Sequence, residues 1–262
     1  MKKLISVCLC ICIFAAQLSG CSGMSFPGSS GPTDAEKLEK IRTSDEYPEI
    51  LVETAEKCPQ TLDYVYNYPE LKDTRFDIDL SADAQSGDVP LFIQWDERWG
   101  YASYGSGFIG TSGCGPTCLS MAAVYLTKNA TYSPLFVARL AEKNGYCVPG
   151  NGSAWTLISE GSALLGLSAA ELPLWEQSMK NALDSGAVII LALGPGDFTS
   201  SGHFVVLTGY DSGGFTVNDP NSPDNSAKHW TYDRLSPTPI FGFLFKHFFP
   251  PPHLLRELHR PH

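Results

Sequence analysis

No stretch of this sequence reaches the about twenty consecutive apolar residues that an α-helix needs to cross a bilayer core, so a bundle of membrane spans is excluded. Positive charge is scarce: 18 Lys and Arg stand against 28 Asp and Glu, a formal net charge of −10. That balance speaks against nucleic acid or anionic lipid headgroups as the main partner. Zinc-type pairs are missing apart from Cys114 and Cys118, and no histidine lies near enough to complete a familiar finger, so neither metal nor cofactor is expected. Histidine is sparse where it would matter. Four of the six fall in the final sixteen residues, leaving His203 and His229 for the folded body. There is no internal repeat. Apolar residues are plentiful, at 43% with five Trp and fourteen Phe, enough for a sizeable core and too many for a disordered chain.

The first twenty residues hold Lys2 and Lys3 and no acid, then a mostly apolar run over residues 4–16 and the tetrad Leu18-Ser19-Gly20-Cys21. This reads as a signal peptide over residues 1–20. Its end resembles the bacterial lipobox, which implies lipid attachment at Cys21 and a protein held on the extracytoplasmic face of the cell membrane through that anchor. Removing the leader would leave 16 basic against 28 acidic residues, a net −12. Residues 21–33, rich in Gly, Ser and Pro, read as a flexible tether. Cys8, Cys10 and Cys12 leave with the leader, so Cys58, Cys114, Cys118 and Cys147 remain; in an oxidising compartment one bridge between two of Cys58, Cys118 and Cys147 is compatible with the sequence.

Residues 34–72 are expected to form a helical preface broken at Pro48, Pro59 and Pro69, with Leu51, Ala55, Leu62 and Val65 buried. An acidic, strand-poor connection leads to Leu91-Phe92-Ile93 and a main domain over residues 88–246. After a loop rich in Gly, Tyr and Ser, helices are expected from Cys114 to about Lys128, from Ser133-Pro134 to Gly145, from a Ser153 cap through Trp155 toward Leu165, and from Trp175 to Asp184. Strands follow over residues 187–193, 203–208 and 214–217, so the class is α+β. Residues 247–262 stay unassigned, and the oligomeric state is open.

Nucleophilic attack by sulfur needs a thiolate, a base and a group that orients the base. Cys114 stands at a helix N-terminus, where free amides and the dipole favour the charged thiol, whereas Cys118 lies one turn deeper as a packing residue. His203 opens an apolar strand after Ser201-Gly202, and Asp219 ends the next strand, within reach of the second ring nitrogen if the two strands are antiparallel neighbours. Trp95, Trp99, Tyr101 and Tyr104 read as core rather than groove, Trp155 as packing first, and Asn221 and Ser222 as turn formers.

The pieces Gln94-Trp95-Asp96, Ser112-Gly113-Cys114-Gly115-Pro116-Thr117, Gly202-His203-Phe204-Val205-Val206-Leu207 and Asn218-Asp219-Pro220 resemble the C39-like branch of the papain-like cysteine peptidases. The resemblance implies a papain-like fold with the nucleophile at a helix N-terminus packed on an antiparallel sheet that carries His and Asp. It also implies Cys114 as nucleophile, His203 as base, Asp219 sixteen residues on as its orienter, and Gln94 as oxyanion donor. Here Gln94 stands twenty residues before Cys114, a longer gap than in leader-processing members. Such members are commonly fused to a transporter, and no Walker-type phosphate loop is present, so coupled export is not expected. The implied activity is hydrolysis of peptide bonds in a peptide or protein substrate. A cell-wall amidase or acyl transferase on the same site, and a non-catalytic peptide-binding module, are the alternatives.

Overall fold

A computed structural model describes residues 31–235 and 239–247; the leader, Cys21, most of the tether and residues 248–262 lie outside the described residues. The chain opens with four helices, α1 (Asp34–Thr43), α2 (Glu49–Lys57), α3 (Leu62–Tyr66) and α4 (Tyr68–Leu71). Thr33 and Glu36 close the first turn of α1 as a reciprocal capping box, and prolines stand at each later entry, at Pro48, Pro59 and Pro69. Ile41, Leu51, Ala55, Tyr64 and Val65 are buried in a cluster that takes in Tyr101, with Trp95 and Phe108 packed against it. The helical preface is thus fastened by its own apolar stripe to the segment that precedes Cys114.

The connection to the main domain contains a short helix, α5 (Ser81–Gln85), which the acidic composition concealed. Residues 100–113 are ordered as a two-stranded hairpin, β1 (Ser103–Tyr104) and β2 (Gly107–Phe108), followed by α6 (Ile109–Ser112). Next comes α7 (Cys114–Thr127), buried on every side from Gly115 to Val124, as an all-round apolar helix must be. It stops where Lys128 turns left-handed at φ 56°. Helix α8 (Pro134–Lys143) starts as the sequence indicates, with the Ser133 hydroxyl accepting from Phe136 N at 3.2 Å.

A hairpin of β3 (Cys147–Val148) and β4 (Gly152–Ser153) then intervenes. Ser153 is therefore not the cap of a long third helix. Its hydroxyl is engaged by Tyr104 OH at 2.7 Å, and the helix reduces to α9 (Thr156–Ser159) plus a 3-10 turn over Gly161–Leu165. Strand β5 (Leu167–Glu171), α10 (Glu176–Asp184), β6 (Val188–Leu193), β7 (His203–Asp211) and β8 (Gly214–Asn218) follow, then α11 (Pro223–Ser226), β9 (His229–Trp230), α12 (Tyr232–Leu235) and β10 (Pro239–His247).

The six long-range strands form one antiparallel sheet in the order β5-β10-β6-β7-β8-β9. Strands β5 and β10 were not foreseen, and β10 carries the sheet to His247, the first residue of the segment that the sequence left unassigned. The sheet is covered on both faces. Along β6, Val188, Ile190 and Ala192 join the core under α7, while Ile189, Leu191 and Leu193 join the core under α10. Strand β7 alternates in the same way, Phe204 and Val206 one way, Val205 and Leu207 the other. Each such Val, Leu or Ile contributes about 1.5–3 kcal/mol through burial, so the strand that starts at His203 is held from both sides. Helices on both faces of an antiparallel sheet, with the nucleophile helix buried against one of them, make the class α+β, with a papain-like arrangement. Among the described residues, no helix is long and apolar enough to cross a membrane.

Candidate active site

Helix α7 begins at Cys114, whose side chain is half-buried, while Cys118, one turn deeper, is fully buried and donates its thiol to the Phe204 carbonyl at 3.2 Å. That bond seats the first turn of α7 on the first residues of β7. The next residue, Gly115, has no room for a side chain: a β-carbon there would lie 2.6 Å from Ser153 Oγ. The glycine lets the β3–β4 turn close over the helix entrance, beside the thiol.

His203 and Asp219 come together because β7 and β8 are antiparallel neighbours, with Val206 opposite Asn218. His203 Nε2 donates to Asp219 Oδ1 at 2.7 Å, both side chains being almost fully buried. This engages Nε2 and leaves Nδ1 as the ring nitrogen free to act on Cys114, with which His203 interacts electrostatically. Asp219 is itself held by further bonds from the turn that follows it. Its Oδ1 accepts from Asn221 N at 2.8 Å, its Oδ2 from Asn225 Nδ2 at 2.8 Å, and its own amide donates to Ser226 Oγ at 2.9 Å. Asn221 and Ser222 do shape the turn. Asn225 and Ser226 were not singled out in the sequence, where only the Asn-Ser-Pro-Asp-Asn-Ser run after Pro220 hinted at a dense set of short polar side chains.

Burial alone would push the Cys114 thiol up, but the hydrogen bond and charge of His203, with the amides of Phe204 and Gly115, outweigh it and bring the thiol below its ordinary value. Burial likewise works against a charged His203; the bonds to Asp219 and to Cys114 override it and push the imidazole up to about 10. Each group therefore favours the charged form of the other, the thiol as thiolate and the imidazole as imidazolium. The other described thiols go the opposite way: burial raises Cys58 and Cys147, and raises Cys118 well above its ordinary value. All four are free, so no bridge joins Cys58, Cys118 and Cys147.

Gln94 is buried at 4% exposure, and its backbone amide donates to Pro220 O at 2.7 Å. Trp95 Nε1 donates to Asn221 O at 3.1 Å, which pins the same segment to the turn behind Asp219. The twenty-residue gap to Cys114 is taken up by the β1–β2 hairpin and α6, and Gln94 still lines the cleft into which Cys114 and His203 open. One amide hydrogen goes to Gly110 O at 3.0 Å, which fixes the NH₂ group, and a primary amide has a second hydrogen to give. Gln94 Oε1 has no protein partner, one of two such buried side-chain atoms among the described residues.

The cleft has a volume of about 680 Å³. One wall is the turn at Gly150 to Ser153 with Trp155, and another is α2 of the preface. Trp99, Tyr101 and Tyr104 are core, as the sequence indicates. Trp155 is not simply packing: it meets Phe241 at a tilt of 59° with ring centroids 4.4 Å apart, yet remains 47% exposed on the cleft wall. His229 stands apart, exposed and paired with Asp211 at 3.0 Å.

The fold and this constellation define a papain-like protein with cysteine, histidine and aspartate converging on one cleft. Residues 86–238 match the family described as the Peptidase_C39 like family, and the chain belongs to that family. Among solved structures it is similar to the peptidase domain of Streptococcus ComA, a bi-functional ABC transporter involved in a quorum sensing pathway, at 17% identity and a TM-score of 0.45, covering 62% of this chain and 99% of that one. A C39-like peptidase from Bacillus anthracis is 15% identical with a TM-score of 0.41, covering 64% and 96%. A double glycine motif protease from an AMS/PCAT transporter, solved with its leader peptide, is 19% identical with a TM-score of 0.38, covering 62% and 96%. No curated protein matches the chain.

Proposed function

We propose that this chain is an extracytoplasmic cysteine peptidase, anchored through a lipid on Cys21, that hydrolyses peptide bonds by way of a Cys114 thioester. The observation that carries the reading is the coupled line of Asp219, His203 and Cys114 at the floor of an open cleft. The Cys114 thiolate attacks the carbonyl carbon. The oxyanion that forms is met by the amide of Cys114 in the first turn of α7, where helix amides lack intrahelical acceptors, and by the second hydrogen of Gln94 Nε2. His203 Nδ1 passes its proton to the leaving amine as the C–N bond breaks, which leaves the thioester. Water then attacks, His203 takes its proton, and the thiolate departs to complete hydrolysis. Asp219 keeps the ring oriented and stabilises the imidazolium throughout.

The test is a peptide-library cleavage profile of the protein, run with Cys114→Ala, His203→Ala and Asp219→Asn beside it. Turnover should vanish in the first, nearly vanish in the second, and survive as a remainder in the third; the corresponding loss in a serine triad is about 10⁴-fold. Cys118→Ala should retain the chemistry. Peptidoglycan fragments and amine acceptors are assayed in parallel: release of acyl groups from these and not from peptides would replace the peptidase reading with an amidase or transferase. Absence of covalent labelling by a cysteine-directed electrophile would leave a binding module.

A further inference from the structure

Helix α2 lies ahead of the residues that match the family, yet it builds part of the cleft. Its residues divide by helical period. Leu51 and Ala55 turn into the preface core, whereas Ile50, Glu53, Thr54 and Lys57, spaced i, i+3, i+4 and i+7, line the cleft. Glu53 and Lys57 are ion-paired to each other at 2.6 Å, so this wall presents no net charge. Ile50 is the apolar residue of that face and is 37% exposed, so its side chain is open to the cleft.

Ile50 also lies near the segment that leads into Cys114. A β-carbon built on Gly107 would touch Ile50 Cδ1 at 3.1 Å and Ser112 Oγ at 3.4 Å, and one built on Gly152 would touch Ser112 O at 3.0 Å. Ile50 and the Gly152 turn thus stand around Ser112, two residues before Cys114, and the turn leads directly to the half-exposed Trp155. Gly150 and Gly152 have φ of +81° and +76°, left-handed conformations that bring bare backbone to the cleft edge, where an extended chain can lie against it.

We propose that Ile50 of α2 and Trp155 form a subsite that receives a bulky apolar side chain of the substrate peptide, so that the preface is a specificity element of the site. The proposal rests on the reading of the cleft as peptide-binding. The wall is neutral through the Glu53–Lys57 pair, flat and aromatic on the Trp155 side, and branched and aliphatic on the α2 side, which suits Leu, Phe or Met in the substrate and disfavours Asp or Lys.

The test uses the full chain with Cys114→Ala, so that binding is read without turnover, and fluorescein-labelled octapeptides of a Ser/Ala host with one position varied among Leu, Phe, Ala, Asp and Lys. Fluorescence anisotropy should give Leu and Phe peptides at least tenfold tighter than Asp or Lys peptides. Adding Ile50→Asp should erase that preference, and Ile50→Met should keep it. A preference that Ile50→Asp leaves intact, or the lack of any apolar preference in the parent, overturns the proposal. A urea midpoint of Ile50→Asp close to that of the parent shows that the protein is still folded, so that a lost preference is not unfolding. If the preference holds while the protein with Cys114 cleaves none of the tight-binding peptides, the subsite stands and hydrolysis falls, so the two failures are distinct.

Discussion

Asn225 Nδ2 donates to Asp219 Oδ2 at 2.8 Å, on the carboxylate oxygen that His203 does not use. The Asn225 backbone is fixed independently, because its carbonyl accepts from Trp230 Nε1 at 2.9 Å and its amide donates to the Ser222 hydroxyl at 3.2 Å. On the proposed reading the carboxamide is a positioning group, which holds the carboxylate that in turn holds the imidazole.

Asn225→Ala should therefore act on rate and pH profile rather than on folding. A hydrogen bond to a charged group contributes about 1.5–3 kcal/mol, so a fall in kcat of roughly tenfold to a hundredfold is expected, with KM little changed. The upper limb of the pH profile should move down, since a loosely held Asp219 supports the imidazolium less well. Asn225→Asp should be worse than Ala, because a second carboxylate would face the first. A KM effect with an unchanged pH profile would assign Asn225 to substrate contact instead.

The ion pair gives folding stability a distinctive pH dependence. Unfolded, histidine titrates near 6.5 and cysteine near 8.5, about their ordinary values; folded, His203 holds its proton up to about 10 and the Cys114 thiol is lowered. The raised histidine stabilises fully below its unfolded value and loses that contribution as pH climbs toward 10. The lowered thiol stabilises above its own unfolded value and loses that contribution as pH falls. Between roughly 6.5 and 8.5 the histidine's contribution falls as pH rises while the thiol's contribution grows, so the two slopes oppose each other. Denaturation in urea across that range should show a shallower pH dependence for the parent than for Cys114→Ala, which should decline with rising pH because Asp219 still raises His203. Parallel curves would mean that the pair does not exist. In the same pH range iodoacetamide should modify Cys114 before Cys58, Cys118 or Cys147, all of which are raised.

What the sequence displayed was whatever a local rule governs. The ends of α7 and α8 follow from a proline in the first turn, a serine cap and a left-handed exit. The three strands of unbroken apolar or alternating residues are found at their expected places. Strand β5, Leu-Ser-Ala-Ala-Glu, has small and polar residues that carry no strand signature, and it exists because β10 pairs along it. Strand β10 sits between β5 and β6 although it comes last in the chain, a long-range placement that no window of sequence contains. The same holds at the site. Cys114, His203 and Asp219 could be picked by residue type and context, but Asn225 acts through Asp219 and Ile50 acts from a separate helix, and both depend on contacts made only by the folded chain.

Localisation rests on Cys21 and the tetrad before it, which lie outside the described residues. If Cys21 carries the anchor, Cys21→Ala should lose incorporation of labelled fatty acid and pass from the membrane fraction to the medium, while the soluble domain keeps its Cys114 reactivity. Unchanged lipid labelling would place the anchor elsewhere.

The preface reaches Gln94, the proposed oxyanion donor, through a short series of bonds. Tyr64 OH donates to Gly100 O at 2.8 Å, Gly110 N donates to the same carbonyl at 2.9 Å, and Gly110 O accepts from Gln94 Nε2 at 3.0 Å. Tyr101 OH returns a bond to Tyr64 O at 2.7 Å, and the two rings stack with centroids 4.6 Å apart and planes 10° from parallel. Space is as tight as the bonding: a β-carbon on Gly110 would run into the Tyr64 phenol. Tyr64→Phe keeps the stack and removes the hydroxyl, which should cost about 1–3 kcal/mol for the lost buried bond; Tyr64→Ala removes the ring and should cost about 3–5 kcal/mol. Because Gly110 sets the orientation of the Gln94 amide, Tyr64→Phe should also lower kcat while leaving the rate of Cys114 alkylation near that of the parent, since alkylation forms no oxyanion. Urea denaturation, kcat and alkylation rate on the same preparation separate these effects. A Tyr64→Phe protein that loses stability but keeps full kcat would show the preface to be a clamp on the fold with no hold on Gln94, and equal losses in kcat and alkylation would place its influence on the thiolate pair instead.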